Sequence, residues 1–382
     1  MLESVTASPA IQDRAHCLIV GAGVVGLALA WELSKQGLAV TVLEREPECG
    51  QGASAAAAGM LAAGVEANAP GPFLDLCRRS SRMWRSWAEE LRSDSGVDCE
   101  LETCGLLRVT TRPESISDLE VRRAWQLTQG INVSELLSLD QLRAEVPGVS
   151  AMVAAGLLYP DEAHVHSHRV TQALELAARR HGARIETGVE VTSLKAEGDR
   201  VRATVPGRDL EGDLAVIAAG SWSGNLLAGL GVEASVEPIR GQIAAVCGAP
   251  GALPRIVFGD RGYVLQKRSG QVLVGATEEA AGFDAWPTLS GMERLSEIAA
   301  ELIPALTGAR FSNSWAGLRP HSAAGPLLGR VPTTDRVLLA TGHHRNGILL
   351  APVTADLLGR AVLTGTDPPE LAAFSPRVAW SA

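Results

Sequence analysis

A glycine-rich turn between two short apolar runs constrains the fold of this 382-residue chain more than any other feature. The first run is Cys17 to Val20, the turn is Gly21-Ala-Gly23-Val-Val-Gly26, and the second run, Leu38 to Leu43, ends in Glu44. Helical periodicity separates the turn from the second run. This order predicts a strand, a tight turn, a helix and a second strand, which is the first unit of a Rossmann-type α/β domain.

The three glycines are suited to binding a dinucleotide phosphate. Gly21 permits a tight turn, Gly23 lets the backbone approach a pyrophosphate, and Gly26 allows the helix to pack closely. Free N–H groups at the helix N-terminus stabilise an anion. Glu44 can accept a hydrogen bond from a ribose 2′-OH and would repel a 2′-phosphate. A βαβ unit without a ligand is the alternative interpretation, and the pattern alone does not separate NAD from FAD.

A second turn, Thr341 to Gly347, joins a late strand to the last helix of the chain. A flavin that takes up two electrons develops negative charge around N1 and the C2 carbonyl. A helix N-terminus directed at that position would stabilise the charge. This turn therefore favours a flavin as the bound dinucleotide.

The pattern changes in the middle of the chain. Beyond Pro238 short strand-like runs follow one another, and Ser269-Gly270 is typical of a hairpin turn. These β-rich stretches interrupt an α/β framework that only the C-terminal strand and helix complete. We therefore predict two discontinuous domains. The FAD-binding domain with a parallel sheet takes residues 1–90, 150–235 and 315–382, and an α+β substrate-binding domain with an antiparallel sheet takes residues 91–149 and 236–314.

Composition argues against several classes of protein. The formal net charge of −9, from 34 basic and 43 acidic residues, and the lack of a Lys/Arg run argue against nucleic-acid binding. The apolar stretch from Leu18 to Trp31 is shorter than the about 20 residues of a membrane span, so no span and a cytoplasmic location are predicted. The six cysteines form no CxxC pair, and the alternating His164, His166 and His168 are interpreted as structural, so no metal is expected.

Three further segments accompany the glycine turn and Glu44: Gly52 to Leu61, Trp315 to Pro320, and Gly342 to Pro352. The glycine turn is common to many dinucleotide folds, but together the four segments resemble the glycine oxidase branch of the D-amino acid oxidase family of flavoenzymes. The likeness runs over nearly the whole chain. It implies a D-amino acid oxidase-like fold and noncovalent FAD, and no cysteine lies between Trp315 and Pro352 that could form a cysteinyl-flavin link.

The activity implied by the resemblance is oxidation of glycine, sarcosine, a small D-amino acid or another small amine by hydride transfer to flavin N5. The imine product hydrolyses to a keto acid and ammonia, and O2 becomes H2O2. Supply of dehydroglycine for thiamine thiazole biosynthesis and assembly into a dimer or tetramer are further expectations. Two alternatives stay open: a D-amino acid or secondary-amine dehydrogenase that passes electrons to a quinone or partner protein, and a noncatalytic flavin-binding subunit.

The resemblance also assigns residues to the cofactor. Most match positions that contact FAD in the family, and Gly220, which lies in the junction between a strand and a turn, is included with them. The full predicted set is Gly21, Gly23, Val24, Val25, Gly26, Glu44, Arg45, Ala53, Ser54, Ala58, Gly59, Met60, Val191, Gly220, His343, His344, Arg345, Asn346, Gly347, Ile348 and Leu349.

Four residues are assigned to the substrate. Arg319 matches the arginine that takes the substrate carboxylate, Tyr263 matches a substrate-site tyrosine, and Arg345 matches an arginine close to the flavin. An arginine fork binds a carboxylate through two charge-assisted hydrogen bonds, which would hold the Cα–H against the flavin. Glu278 departs from the family and could bind the substrate amine. The alternatives are a salt-bridged structural Arg319, an Arg345 that only braces its loop, and a solvated Glu278.

Overall fold

Two large β-sheets form the framework of the protein. The computed structural model describes residues 15–232, 235–248, 251 and 253–379, so the predicted domain ends at 1–14 and 380–382 lie outside the described residues. The strands are β1 His16–Val20, β2 Ala39–Leu43, β3 Met60–Leu61, β4 Leu106–Thr110, β5 Ala155–Tyr159, β6 Ala163–His164, β7 Arg184–Glu186, β8 Ser193–Glu197, β9 Arg200–Val205, β10 Arg208–Gly212, β11 Leu214–Ile217, β12 Glu237–Cys247, β13 Ile256–Phe258, β14 Tyr263–Gln266, β15 Val272–Gly275, β16 Arg310–His321, β17 Leu327–Arg330 and β18 Val337–Thr341.

Helices are distributed along the whole chain, and the four longest begin at Pro72, Gly347, Ser167 and Leu289. Their bounds are α1 Val24–Lys35, α2 Ala53–Ala56, α3 Ala63–Glu66, α4 Pro72–Ser95, α5 Ile116–Thr128, α6 Leu139–Glu145, α7 Ser167–Arg180, α8 Ser223–Ala228, α9 Leu289–Leu302, α10 Gly347–Thr364 and α11 Pro376–Ala379.

The six-stranded sheet has the order β17-β18-β11-β1-β2-β7, and every pair in it is parallel except β17 with β18. The central strands β1, β11 and β18 are apolar on both faces, as expected when a parallel sheet is covered on both sides. Helices α1, α4, α7 and α10 pack on one face. The small antiparallel sheet β10-β9-β8 packs on the other. This arrangement confirms the predicted α/β class and its Rossmann-type sheet.

The seven-stranded sheet has the order β16-β12-β15-β14-β13-β4-β5 and is mostly antiparallel. Side chains alternate between its faces because successive residues of a strand point in opposite directions. One face packs on α6 and α9. The other face packs on the segment between Ala58 and Val65 and on α5. The hairpin predicted at Ser269-Gly270 joins β14 to β15.

Sheet membership departs from the predicted domain boundaries in two places. Strand β5 and the last part of β16, from Trp315 to His321, were assigned to the FAD-binding domain, but both pair within the seven-stranded sheet. The backbone of the segment Trp315 to Pro320 thus belongs to the seven-stranded sheet, while Gly317 and Arg319 of this segment line the large cavity described below. The division into two domains otherwise stays a prediction.

One described helix, extended to His344–Thr364, is long and apolar enough to cross a membrane by length and composition. Of its most apolar window, 72% is buried inside the protein. It packs against α1 and α4, so in this structure it serves as a core helix.

Candidate active site

A cavity of about 1450 Å³ lies where the carboxyl ends of β1, β2, β11 and β18 meet one face of the seven-stranded sheet. In parallel α/β sheets, ligands bind in the crevice outside these carboxyl ends. The volume exceeds the roughly 300–1,000 Å³ of a typical small-ligand pocket. It therefore has room for a dinucleotide and a second small molecule.

The glycine turn forms one wall of this cavity. Gly21 has a φ of 106°, and a Cβ there would lie 2.5 Å from the carbonyl oxygen of Ala218. A Cβ on Gly26 would overlap the Gly21 carbonyl, which accounts for the close approach of α1. The Val24 N–H donates to the Ser54 hydroxyl at 2.9 Å. This turn is the predicted phosphate cradle, and its tight shape requires glycine at both positions.

Glu44 is positioned by the same turn. Its carboxylate accepts hydrogen bonds from the N–H of Ala22 at 2.6 Å and the N–H of Glu46 at 3.0 Å, and it also lines the cavity. Each oxygen keeps a second lone pair for a ligand hydroxyl. Glu44 therefore stabilises the glycine turn as well as facing the predicted ribose position.

The segment from Gly52 to Leu61 is fixed by side chains of the seven-stranded sheet. The Trp315 indole donates to the Ala56 carbonyl at 3.1 Å, and the Lys267 ammonium donates to the carbonyls of Ala58 at 2.6 Å and Val165 at 2.8 Å. Burial lowers the pKa of Lys267 to about 8. Sequence analysis missed Lys267, because a single lysine beside a hairpin turn looks like a surface residue.

Most predicted cofactor residues line the cavity, but Gly26 and Leu349 do not. Gly26 packs behind the turn, and the Leu349 carbonyl accepts hydrogen bonds from Ser80 and Trp84 inside the core. Arg45 lies over the Trp222 ring at 3.6 Å, forming a cation–π pair at the wall. The predicted residues at the wall are Gly21, Gly23, Val24, Val25, Glu44, Arg45, Ala53, Ser54, Ala58, Gly59, Met60, Val191, Gly220, His343, His344, Arg345, Asn346, Gly347 and Ile348.

The turn before α10 also faces the cavity. His343 is buried and its Nε2 contacts the Thr354 hydroxyl at 3.1 Å. Burial lowers the pKa of His343 to about 4, so the ring is neutral at pH 7. The N-terminus of the 18-residue helix α10 follows directly, with Gly347 and Ile348 at the wall. This geometry places positive helix-dipole charge at the cavity, as a reduced flavin requires.

Arg319 extends from β16 into the same cavity. Its Nη1 donates to the Thr277 carbonyl at 3.0 Å, and a Cβ on Gly241 would overlap the guanidinium. Burial lowers the pKa of Arg319, and the opposing effect of Tyr263 comes next in size. None of the ion pairs among the described residues includes Arg319. Arg319 is therefore not a salt-bridged structural arginine in this structure.

Tyr263 lies in one row of side chains that crosses the seven-stranded sheet. The paired residues of this row are Leu157, Arg108, Phe258, Tyr263, Gly275, Ile243 and Trp315. A Cβ on Gly275 would lie 2.6 Å from the Tyr263 hydroxyl oxygen, so this glycine makes room for the phenol. Burial raises the pKa of Tyr263 to about 12. The hydroxyl is therefore a neutral hydrogen-bond donor at the cavity wall.

Arg345 is paired with a residue that sequence analysis did not identify. Its Nε lies 3.0 Å from Oε2 of Glu66, whose side chain is only 7% exposed. The Glu66 carboxylate raises the pKa of Arg345. The Arg345 guanidinium carbon also lies 5.4 Å from the centre of the Phe258 ring. Arg345 thus faces the cavity, but its charge is compensated by Glu66. This pairing favours a role in holding its loop in place over binding a substrate carboxylate.

Glu278 forms a polar group with two histidines at the cavity wall. Its Oε1 lies 3.2 Å from Nε2 of His344, and the rings of His344 and His321 are 5.0 Å apart in an edge-to-face arrangement. Burial lowers the pKa of His344 to about 4, although Glu278 acts in the opposite direction. The Glu278 side chain remains 57% exposed. Glu278 is thus close enough to the other residues assigned to the substrate to contact a substrate amine, but this role stays a prediction.

The Tyr263→Phe substitution tests the phenol as a substrate ligand. A hydrogen bond to a charged group contributes about 1.5–3 kcal/mol, so we expect substrate KM to rise about tenfold or more. The midpoint of the pH–rate profile should not change, because a phenol with a pKa of about 12 stays protonated throughout. The control is Tyr159→Phe, since that buried hydroxyl donates to Gln126 at 2.8 Å outside the cavity wall. An unchanged KM in Tyr263→Phe, or a shifted midpoint, would contradict this role.

Comparison with known proteins agrees with this geometry. The family described as FAD dependent oxidoreductase matches residues 16–361. Glycine oxidase from Bacillus licheniformis is 31% identical over 354 residues, covering 92% of this chain and 94% of that protein. The bifunctional protein ThiO/ThiG of Synechocystis sp. is 35% identical over 377 residues, or 96% of this chain, and the chain spans 54% of that protein. The crystal structure of glycine oxidase from Geobacillus kaustophilus, 32% identical, superposes with a TM-score of 0.91 over 95% of this chain and 98% of that one.

Proposed function

We propose that this chain, which belongs to the D-amino acid oxidase family of FAD-dependent oxidoreductases, oxidises glycine and other small amino acids or amines. The relatives that are named glycine oxidases support the substrate class. The observation that carries the proposal is the Arg319 guanidinium, which has no ion-pair partner among the described residues, together with the neutral Tyr263 hydroxyl. Both lie at the wall of a cavity that also holds the phosphate cradle. A cation and a neutral donor side by side suit a substrate carboxylate.

The roles of the chain's own residues follow from these positions. FAD, when bound, supplies the acceptor for the hydride that leaves the substrate's α-carbon. Arg319 binds the carboxylate and Tyr263 donates a second hydrogen bond to it, which fixes the orientation of the α-carbon. The carboxylate of Glu278 attracts the substrate ammonium, and no protein base is required once the amine is neutral. The rate should therefore rise with pH as the amine loses its proton.

We propose O2 as the electron acceptor, with H2O2 as the second product. Hydrolysis of the imine gives a keto acid and ammonia, or methylamine in place of ammonia when sarcosine is the substrate. The alternative acceptor is a quinone or a partner protein. The similarity to the bifunctional protein ThiO/ThiG supports use of the imine, dehydroglycine, in thiamine thiazole biosynthesis.

A pair of assays with the same substrates distinguishes these acceptors. With glycine, sarcosine and D-alanine in air-saturated buffer, we expect H2O2 to form in proportion to substrate consumed. A dye-linked assay without oxygen serves as the control for the reductive half-reaction. Dye reduction without H2O2 formation in air would contradict the oxidase and leave a dehydrogenase.

We also propose that the enzyme works in the cytoplasm as a homo-oligomer, a dimer or tetramer. Phe283, Trp286 and Leu289 support association, because these large apolar side chains are 50%, 79% and 89% exposed within one short segment. Light scattering coupled to size-exclusion chromatography measures the assembly directly. A monomer at assay concentrations would contradict this proposal without affecting the chemistry.

A further inference from the structure

Arg108 is an arginine of the cavity wall that the roles above do not use. It lies on β4, in the row of side chains that also contains Phe258 and Tyr263, and it faces the same side of the sheet. Its guanidinium carbon is 5.7 Å from the Phe258 ring centre, and that of Arg345 is 5.4 Å from the same centre. Arg108 and Arg345 thus meet at the ring that stacks beside the substrate tyrosine.

Four other arginines of the wall have acceptors among the described residues. Arg345 is paired with Glu66, Arg112 with Asp260 and Arg261 with Glu297, and Arg319 donates to the Thr277 carbonyl. Among the described residues, no carboxylate lies within 4.0 Å of the Arg108 guanidinium, and no hydrogen bond from its side chain is formed.

The charges around Arg108 do not compensate it. Asp260 is the carboxylate that raises the pKa of Arg108. It already accepts hydrogen bonds from the Thr110 hydroxyl at 2.8 Å and from Nε of Arg112 at 3.2 Å. The Tyr159 hydroxyl donates to Gln126. The remaining neighbours, Arg122 and Arg345, are cations, and burial together with these cations lowers the pKa of Arg108. A half-buried cation without a partner is costly unless a ligand supplies the anion.

We infer that Arg108 binds a second anionic group of the substrate, so that the preferred substrates are small amines with two carboxylates. Arg319 takes the carboxylate next to the reacting carbon, and Arg108 takes the other across the Phe258 ring. This inference rests on the proposed function, since it adds a second contact at the same site.

Matched pairs of compounds test the inference. Sarcosine is compared with N-(carboxymethyl)glycine, and D-alanine with D-aspartate, because each pair differs by one carboxylate. The measurement is anaerobic flavin reduction by the holoenzyme, which does not depend on the electron acceptor. In at least one pair, we expect the half-saturating concentration of the dianion to be at least about tenfold lower than that of the monoanion.

The Arg108→Gln variant should remove this preference. We expect its half-saturating concentration for the dianion to rise at least about tenfold, with little change for the monoanion and unchanged FAD content, and Arg108→Lys should restore part of the loss. Arg294→Gln is the matched control. Arg294 also lines the cavity without a described ion pair, but it is exposed on α9. Loss of the preference in Arg294→Gln as well would mean a general charge effect and would overturn the inference.

Two other results would overturn it: no preference for either dianion in the natural protein, or equal effects of Arg108→Gln on both members of a pair. If no compound reduces the flavin, the proposed function fails instead. Arg108 is then tested by the change in the flavin spectrum on binding malonate or acetate. Tighter binding of malonate that disappears in Arg108→Gln supports the second anion site, and equal binding contradicts it.

Discussion

Arg319→Ala should abolish turnover at ordinary substrate concentrations while leaving FAD bound. Truncating one partner of a buried charge-assisted pair costs about 2–5 kcal/mol, so we expect the affinity for a carboxylate ligand to fall at least about thirtyfold. No carboxylate of the described residues pairs with Arg319, so its removal leaves none of them unpaired. Binding of glycolate, followed by the change in the flavin spectrum, measures the loss directly.

Two further variants separate the role of Arg319 from a general loss of charge. Arg310→Ala removes an exposed arginine from the first position of the same strand and should leave glycolate affinity unchanged. Gly241→Ala keeps Arg319 but places a Cβ where its guanidinium lies, so it should weaken glycolate binding as well. Unchanged binding in Arg319→Ala would mean that another arginine takes the carboxylate.

Gly21→Ala should release FAD. A side chain at a φ of 106° costs about 1–2 kcal/mol by itself. The new Cβ would also lie 2.5 Å from the Ala218 carbonyl oxygen, which belongs to the backbone and cannot rotate away. The turn must therefore move, and the phosphate cradle moves with it. We expect the purified variant to contain little FAD and its dissociation constant for added FAD to rise at least about tenfold.

Gly37→Ala is the matched control for that prediction. Gly37 also has a positive φ, of 82°, but a Cβ there meets nothing within 4 Å. It should lower the free energy of unfolding by about 1–2 kcal/mol and keep its FAD. If Gly21→Ala retains FAD as well as Gly37→Ala does, the glycine turn is not the phosphate site.

The local features that follow from short-range physics were predictable from the sequence. The turn from Gly21 to Gly26 between two apolar runs has the predicted strand, helix and strand around it. The hairpin at Ser269-Gly270 and the helix after Gly347 were also confirmed, since turn chemistry and apolar periodicity act within a few residues.

The parts that depend on long-range pairing were not predictable in the same way. Glu66 meets Arg345 across 279 positions of the chain, and Lys267 reaches Ala58 across 209. Neither residue stands in a pattern, so nothing local marks it. The sheet to which the segment from Trp315 belongs was not predictable for a related reason. A strand can pair in one sheet while its side chains face the ligand held by the other, as Arg319 does.

Anaerobic mixing of the FAD-loaded protein with glycine, sarcosine or D-alanine, while the flavin absorbance is followed, tests the proposed activity directly. We expect at least one of these compounds to bleach the oxidised flavin, faster as pH rises, and Arg319→Ala to prevent the bleaching at the same concentration. Failure of all small amino acids and amines to bleach a fully loaded flavin would contradict the proposed activity and leave a flavin-binding protein without it.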